Sequence, residues 1–332
     1  MRYGHLKQPS ANTKSDPRSQ FLASDLLSLL ACPNSRRDGE SCRGSLSYEA
    51  PDLLVCGTCA GSYPVEDGIP VLVPPSNPDS RSPGWERQRE YFDSGLDPEF
   101  EIERPEAGGR FYHYVLLTKF RHAFKRLPVG AATGPVLDAC CGSGVLSEYL
   151  AGRTNQLVVG FDFSVGAVRR ACERARRRGY PFVGVVGDAD APPFRSRAFS
   201  LVAIHDALHH LDDPLGTLER IVDLTRDILV VMEPCVSWVT RIGVLVGISV
   251  DVEDAGNPVR RLAPEPLAAA VRKAGFSAAE VHRYLLYYPH QPGNLYRLLD
   301  RRPLYDLGRL AVTVGYRVGA LGGNKLQLLA HR

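Results

Sequence analysis

The feature that most constrains the fold is a glycine-containing turn placed directly after a short apolar run. Residues Val136–Gly144 read VLDACCGSG, in which the apolar run is typical of a buried strand and Gly142 and Gly144 follow it. Glycine reaches positive φ without strain and lets a bulky ligand approach the backbone closely. On its own, this turn fits a dinucleotide site, a phosphate site or a purely structural strand-to-helix connection.

Behind this turn, short apolar runs alternate regularly with helical patterns. Such alternation predicts βαβ units and a parallel sheet. Strands are predicted at 134–141, 156–162, 181–188, 199–206, 227–233, 278–288 and 325–331. Helices are predicted from 146, at 164–179, at 265–276 and over about 295–320. The expected fold class is therefore α/β, with a Rossmann-like, doubly wound and mostly parallel seven-stranded sheet.

Local composition divides the chain into four parts. The 332 residues are enough for about two domains. We expect a flexible, polar tail at 1–20, a small cysteine-containing unit at 21–75, a proline-rich linker at 76–109, and an α/β unit at 110–332 with an insertion at about 289–323.

Charge and hydropathy exclude several classes of protein. The net charge of +3, from 40 basic and 37 acidic side chains, is too balanced to indicate a nucleic-acid binder by itself. No apolar run reaches the roughly 18 residues of a membrane span, and the polar N-terminus lacks a secretory signal. A cytoplasmic, reducing compartment is the expectation, in which the eight cysteines serve as metal ligands, reactive thiols or buried side chains rather than disulfides.

Four of these cysteines lie in the small unit. Cys56 and Cys59 form a C-x2-C knuckle, and Cys32 and Cys42 supply a second, more widely spaced pair. Four thiolates suit a tetrahedral structural zinc, whose binding would also stabilise a unit with so small a core. Unpaired thiols without metal, or a catalytic zinc, are the alternatives. The run from Cys56 through YPVEDGIPVL to Leu72 resembles the small zinc-ribbon proteins that partner tRNA and protein methyltransferases.

Three further features of the α/β unit follow predicted strands. Asp162 comes 18 residues after Gly144, where a carboxylate can accept hydrogen bonds from both ribose hydroxyls. Asp188 ends the third strand, and HDALHHLDDP at 205–214 follows the fourth. Ser147 occupies the position where a dinucleotide fingerprint needs a third small residue, Gly or Ala, which disfavours a nicotinamide cofactor.

Together these motifs resemble the class I S-adenosylmethionine-dependent methyltransferases, particularly those acting on small molecules and lipids. The resemblance covers about 110–332 and implies S-adenosylmethionine as cofactor, with Asp138 and the 140–144 loop on the methionine moiety. Asp162 would hold the ribose, Asp188 and Ala189 the adenine, and His205 would lie beside the sulfonium. The implied cofactor-binding residues are Asp138, Cys140, Gly142, Gly144, Asp162, Phe163, Asp188, Ala189 and His205. Cys140 replaces the glycine that the family usually has.

Methyl transfer to a hydroxyl needs a base as well as alignment. His209 and His210 are the first candidates, followed by His113, although HHL often packs structurally in such proteins. The helix predicted at 110–117 resembles a lid over the cofactor. Several tyrosines in the insertion suit a ring or sugar acceptor, or simply pack a half-buried helix.

Three functions remain open. The first is a methyltransferase of a small-molecule, glycan or lipid-like acceptor, fused to a structural Zn2+ ribbon that could dock a protein partner. The second is an rRNA or tRNA base methyltransferase, and the third is a non-catalytic partner-binding protein. Cofactor binding separates the third from the others, and salt-dependent RNA affinity separates the second from the first.

Overall fold

The computed structural model describes residues 25–34, 41–74, 83–128, 130–245, 252, 256 and 259–332. The predicted tail at 1–20 and the first part of the predicted linker, 76–82, lie outside these ranges. None of the helices in these ranges has both the length and the apolar character needed to cross a bilayer.

The N-terminal unit is a small antiparallel meander. Its strands are β1 (Leu46–Ala50), β2 (Leu53–Cys56), β3 (Ser62–Glu66) and β4 (Ile69–Leu72), and each pairs with the next. The meander turns at Asp67 and Gly68, which both have positive φ. The unit therefore presents β4 as its last strand.

The larger unit holds the seven strands that the alternation predicts. They are β5 (Val136–Ala139), β6 (Val158–Asp162), β7 (Phe182–Gly187), β8 (Phe199–His205), β9 (Thr225–Pro234), β10 (Ala278–Tyr284) and β11 (Lys325–His331). Their spatial order is β7-β6-β5-β8-β9-β11-β10, parallel from β7 to β9 and antiparallel at β11 and β10. From β5, the strands β6 and β7 are added on one side of the sheet, and β8 and β9 on the other. At this change of side, a crevice opens beyond the carboxyl ends of β5, β6 and β8.

Helices connect these strands. They are α1 (Pro83–Glu90), α2 (Pro98–Glu103), α3 (Arg110–Ala123), α4 (Val145–Thr154), α5 (Val165–Arg178), α6 (Pro214–Asp223), α7 (Trp238–Leu245), α8 (Pro264–Lys273), α9 (Asn294–Leu299) and α10 (Leu304–Val318). The helix predicted at 164–179 corresponds to α5. The Ser164 hydroxyl caps it by accepting from the Ala167 N–H at 2.9 Å, and Gly179 ends it with φ of +72°.

The two units share one sheet and one core. β4 runs parallel to β7, with Val71 opposite Val186 and Leu72 opposite Gly187. Buried side chains of the N-terminal unit, such as Leu30, belong to the same apolar core as Phe161 of β6. The sheet therefore has eleven strands in the described residues, four more than the α/β pattern alone predicts.

Two predicted segments differ from the structure. The segment expected to be a linker contains α1 and α2, and Asp93 between them accepts hydrogen bonds from Ser164 and Gly166 at the start of α5. Sequence reasoning read its prolines and glycines as breakers, whereas Pro83 and Pro98 occupy first helical positions, where proline is tolerated. The helix expected over about 295–320 is two helices, α9 and α10, separated at Pro303.

Candidate functional site

A cavity of about 640 Å³ opens at the carboxyl ends of the parallel strands. It is lined by most of the residues that the sequence singles out: Asp138, Cys140, Gly142, Asp162, Phe163, Asp188, Ala189, His205, His209 and His210. These side chains come from the ends of four strands, which the topology brings together although they are up to 72 positions apart in sequence.

The glycine-containing turn forms the floor of the cavity. Cys140, Gly142 and Gly144 all have positive φ, at +55°, +51° and +78°. A Cβ added to Gly144 would lie 3.0 Å from the Ala171 Cβ, so this glycine also allows α4 to pack closely on α5. Cys140 adopts the left-handed conformation at a cost in strain that glycine would not have.

Two buried carboxylates support this turn. The Ser147 hydroxyl donates to Asp138 Oδ2 at 2.6 Å, and burial raises the pKa of Asp138 to about 7. Asp162 accepts from the N–H of Gly142 at 2.9 Å and from that of Ser164 at 3.0 Å. Burial likewise raises the pKa of Asp162, to about 6. Each Asp162 oxygen retains a second lone pair for a ligand hydroxyl.

Aromatic side chains cover one side of the cavity. Trp85, Tyr91 and Phe92 line it from α1 and the turn that follows. The Trp85 and Phe163 rings lie 5.3 Å apart, and Phe92 contacts Phe163 at 6.5 Å. Sequence reasoning missed this group because it lies in the segment expected to be a linker. Its signal was the presence of three aromatic residues within eight positions of a polar stretch.

A charged network lies at the other end of the cavity. Asp206, with φ of +47°, accepts from Lys119 Nζ at 2.6 Å and from Lys325 Nζ at 3.3 Å. The Tyr288 hydroxyl also donates to it. Burial alone would raise the pKa of Asp206, but the two ammonium groups lower it well below its usual range. Burial lowers the pKa of Lys119 to about 8.

His205 joins this network at the end of β8. Its Nε2 lies 3.2 Å from Asp206 Oδ2, and its ring stacks on Tyr288 at 6.5 Å. Burial, together with Lys119, lowers the pKa of His205 to about 4, so the imidazole is neutral at pH 7. The network therefore places two cations against one anion beside a neutral imidazole. Sequence reasoning singled out His205 and counted Tyr288 among the tyrosines expected near an acceptor, but it missed Lys119, Asp206 and Lys325.

His209 and His210 follow in a short helical turn. His209 Nδ1 lies 2.7 Å from Glu233 Oε2, and the other oxygen of Glu233 accepts from the N–H groups of Ala207 and Leu208 at 2.8 Å each. The His209 ring is thereby fixed in orientation, and its pair with Glu233 is nearly fully buried. His210 packs its ring 4.0 Å from that of His209.

Some predicted site residues lie elsewhere. His113 is not among the residues that line the cavity and instead lies 3.8 Å from Glu106, because its position on α3 points it toward the preceding turn. Tyr112, predicted as a lid, is fully buried and donates to the His290 carbonyl at 2.8 Å. Gly144 caps the start of α4 beneath the lining residues.

A second ionic group borders the cavity near His290. The Glu101 carboxylate lies 2.8 Å from His290 Nε2 and 3.3 Å from Arg104 Nε. Burial alone would raise the pKa of Glu101, but Arg104 and His290 lower it to about 2. This group ties α2 to the segment before α9.

The four cysteines of the N-terminal unit come together. The sulfur atoms of Cys32, Cys42, Cys56 and Cys59 all lie within 4.8 Å of one another. Two of the separations are 3.6 and 3.7 Å, close to the roughly 3.8 Å expected between sulfurs of a tetrahedron with Zn–S bonds of about 2.3 Å. Asn34 Nδ2 and the Thr58 N–H approach two of the sulfurs. Cys42, despite its wide spacing from Cys32, therefore lies in the four-sulfur cluster.

Comparisons with known proteins agree with this architecture. Residues 136–227 match the family model described as a methyltransferase domain. Demethylmenaquinone methyltransferase of Renibacterium salmoninarum is 34% identical over 99 residues, which cover 30% of this chain and 40% of that protein. The crystal structure of magnesium protoporphyrin IX methyltransferase from Synechocystis superposes with a TM-score of 0.50 at 16% identity, covering 75% of this chain and 99% of that one. The fold is therefore the Rossmann-like methyltransferase fold.

A second curated relative matches a shorter segment of the chain. The UPF0434 protein of Methylobacillus flagellatus is 39% identical over 49 residues, which cover 14% of this chain and 70% of that protein. By contrast, this chain spans less than half the length of the demethylmenaquinone methyltransferase that it matches.

Proposed function

We propose that this chain, which belongs to the class I methyltransferases and, through a 49-residue segment, to the UPF0434 family, transfers a methyl group from S-adenosylmethionine to a small-molecule acceptor. The observation that carries the proposal is the single cavity described above. It joins a set of strand-end carboxylates to a network of lysine, histidine and tyrosine side chains. One end suits a cationic sulfonium cofactor, and the other suits an acceptor that loses a proton.

At the cofactor end, we assign each moiety to one strand end. Asp138 and the 140–144 turn would hold the methionine part, and Asp162 would accept from the ribose hydroxyls. Asp188 and the Ala189 N–H would contact the adenine, with Trp85 and Phe163 covering it. The bound cofactor supplies an activated methyl group, and the residues of the chain align it and exclude water.

At the acceptor end, we propose transfer to a hydroxyl oxygen. Lys325 lines the cavity, and Asp206 neutralises only one of the two ammonium groups that it contacts. The remaining positive charge would stabilise an oxyanion that forms as the acceptor loses its proton. Glu233 fixes the orientation of the His209 ring through Nδ1, and we propose His209 as the base that takes this proton. His210 is the alternative base.

Calorimetric titration tests the cofactor assignment. S-adenosylmethionine and S-adenosylhomocysteine should bind the full chain, and NADH should not. Asp162→Ala should weaken the affinity at least tenfold, whereas Asp227→Ala, at a half-exposed pair with Arg226, should leave it unchanged. Absence of binding by either sulfur compound would refute the proposal and favour a partner-binding role. A salt-dependent affinity for RNA would favour a nucleic-acid acceptor instead.

We further propose that the four cysteines hold a structural Zn2+. Four thiolates would fill the tetrahedron and leave no position for chemistry, while the metal would stabilise a unit of about 50 residues. Purified protein should contain one equivalent of zinc, and chelation should lower its unfolding midpoint. Cys59→Ser should lower both zinc content and stability. Cys172→Ser, which is not one of the four cysteines, should leave the zinc content unchanged and change stability only slightly. A zinc-free protein of unchanged stability would contradict this assignment.

The 49-residue match suggests a role for this unit. We assign it to the region around the cysteines, which on sequence resembles the ribbon partners of methyltransferases. Because β4 pairs with β7 of the same chain, the unit would support its own methyltransferase domain, without needing a separate enzyme as partner.

A further inference from the structure

The helices α9 and α10 carry a row of large apolar side chains that face solvent. We call this surface the apolar face. Each of its members is between 45% and 60% exposed: Leu295, Leu298, Leu307, Leu310, Val314 and Val318. These six make up nearly half of the large apolar residues that are exposed in the described part of the chain. The two helices contact each other, so these side chains are grouped in one region. Such grouping favours an interaction site, because isolated exposed leucines are ordinary.

The geometry of α10 explains how this face arises. At 100° per residue, Leu307, Leu310, Val314 and Val318 fall within an arc of about 80°. The buried positions, which include Tyr305 and Val312, lie on a different side and pack toward the interior. α10 is therefore apolar on two sides, one of which its own fold does not cover in the described residues.

The charge around the apolar face has one dominant sign. Residues 294–318 contain five arginines and two aspartates, so this segment alone carries as much net charge as the whole chain. All five arginines are exposed: Arg297, Arg301, Arg302, Arg309 and Arg317. A row of apolar side chains flanked by cations is the pattern of a helix that lies in the interface of an anionic bilayer.

The helix α9, which carries part of the apolar face, contacts the lining of the cavity. The Tyr296 hydroxyl of α9 donates to the Tyr287 carbonyl at 2.6 Å, and Tyr287, half exposed, lines the cavity. Beyond the other end of α10, a Cβ on Gly322 would lie 2.5 Å from Nε1 of Trp238, which is itself 63% exposed. An indole at this position suits the headgroup region of a bilayer.

We propose that the apolar face binds the surface of an anionic phospholipid bilayer. The leucines and valines would enter the boundary between headgroups and acyl chains, and the arginines would pair with lipid phosphates. A second protein would also cover apolar side chains, but it would not need the excess of exposed arginines over aspartates in the same segment, 294–318. The proposal goes beyond methyl transfer and is measured as binding alone, so it stands or falls independently of the cofactor.

Co-sedimentation of the full chain with vesicles tests this proposal. Vesicles of phosphatidylcholine with 30% phosphatidylglycerol should retain the protein, whereas pure phosphatidylcholine should retain at least tenfold less. Raising NaCl from 50 to 500 mM should reduce retention on the anionic vesicles severalfold. Leu307→Ser with Leu310→Ser should reduce retention at least tenfold, and Arg301→Glu with Arg317→Glu should remove the preference for anionic lipid.

A matched control uses exposed apolar residues elsewhere. Tyr48→Ser with Leu215→Ser alters two side chains that are about 40% exposed on β1 and α6, and it should leave retention unchanged. Circular dichroism shows whether each variant is folded, and the arginine variant preserves the test if the serine variant is not. Absence of retention, or equal losses in both serine variants, would overturn the proposal. A dimer in sedimentation velocity that Leu307→Ser with Leu310→Ser dissolves would assign the face to a second copy instead.

Discussion

Replacing Asp206 by asparagine should destabilise the protein strongly. Asparagine preserves the size of the side chain and tolerates the left-handed backbone of this position, so the substitution removes charge with little change of shape. It leaves Lys119, which is fully buried, and Lys325, whose side chain is 15% exposed, without the carboxylate between them. Two like charges then face each other in a poorly hydrated site.

The size of the effect follows from the geometry. At an effective dielectric constant of 20, a charge pair at 2.6 Å has a Coulomb energy of about 6 kcal/mol, much of which offsets the cost of desolvating both groups. Removing one partner of a buried pair leaves that cost unbalanced, so we expect Asp206→Asn to lower the free energy of unfolding by about 3–5 kcal/mol. Adding Lys119→Met should restore most of this loss, because it removes the buried charge that Asp206 balances.

Urea unfolding followed by circular dichroism measures these differences. Glu219→Gln serves as the control. The side chains of its ion pair, Lys273 and Glu219 at 3.4 Å, are 80% and 51% exposed, so the pair should contribute less than about 1 kcal/mol to the free energy of unfolding. A loss below about 1 kcal/mol in Asp206→Asn, or no recovery in the double variant, would refute the argument that this carboxylate holds the two lysines in place.

Two further predictions concern stability. Gly144→Ala should lower the free energy of unfolding in urea by about 1–2 kcal/mol, because it combines φ of +78° with a Cβ 3.0 Å from that of Ala171. Gly179→Ala, at a similar φ but with open space around its Cβ, should cost less. Equal losses in the two variants would contradict the packing argument. The folded-state pKa of Glu101, about 2, lies below its ordinary 4.5, so its contribution of about 3 kcal/mol should be complete above pH 4.5 and disappear as the pH falls toward 2. Glu101→Gln should flatten this acid dependence in urea titrations between pH 5 and 2, and an unchanged slope would be evidence against it.

Local signals were sufficient to predict the α/β core. The strand-turn-helix pattern at 134–151 and the Ser164 and Gly179 caps depend on neighbouring residues, so sequence alone identifies them. The predicted fold class is confirmed by the seven-stranded order and by the matches to methyltransferases. The pairing of β4 with β7 was beyond such reasoning, because it joins segments more than 100 residues apart through only two residue pairs.

The site follows the same division. Asp162 and Asp188 were predicted at the ends of strands, and the resemblance to methyltransferases assigned them to one pocket together with Asp138. All three line the same cavity. Their roles toward a cofactor stay predictions. Lys119 and Lys325 carried no signal in the sequence, because lysine is ordinarily a surface residue and only the tertiary fold buries these two beside Asp206.

The junction between the two units also affects solubility. If β4 were absent, β7 would be an edge strand whose unpaired N–H and C=O groups face outward, with the apolar side chains of Val185 and Val186 along it. Such an edge recruits strands from other molecules and starts aggregation. By pairing with β7 and ending the sheet in a short meander, the N-terminal unit covers this edge and so disfavours self-assembly of the larger unit.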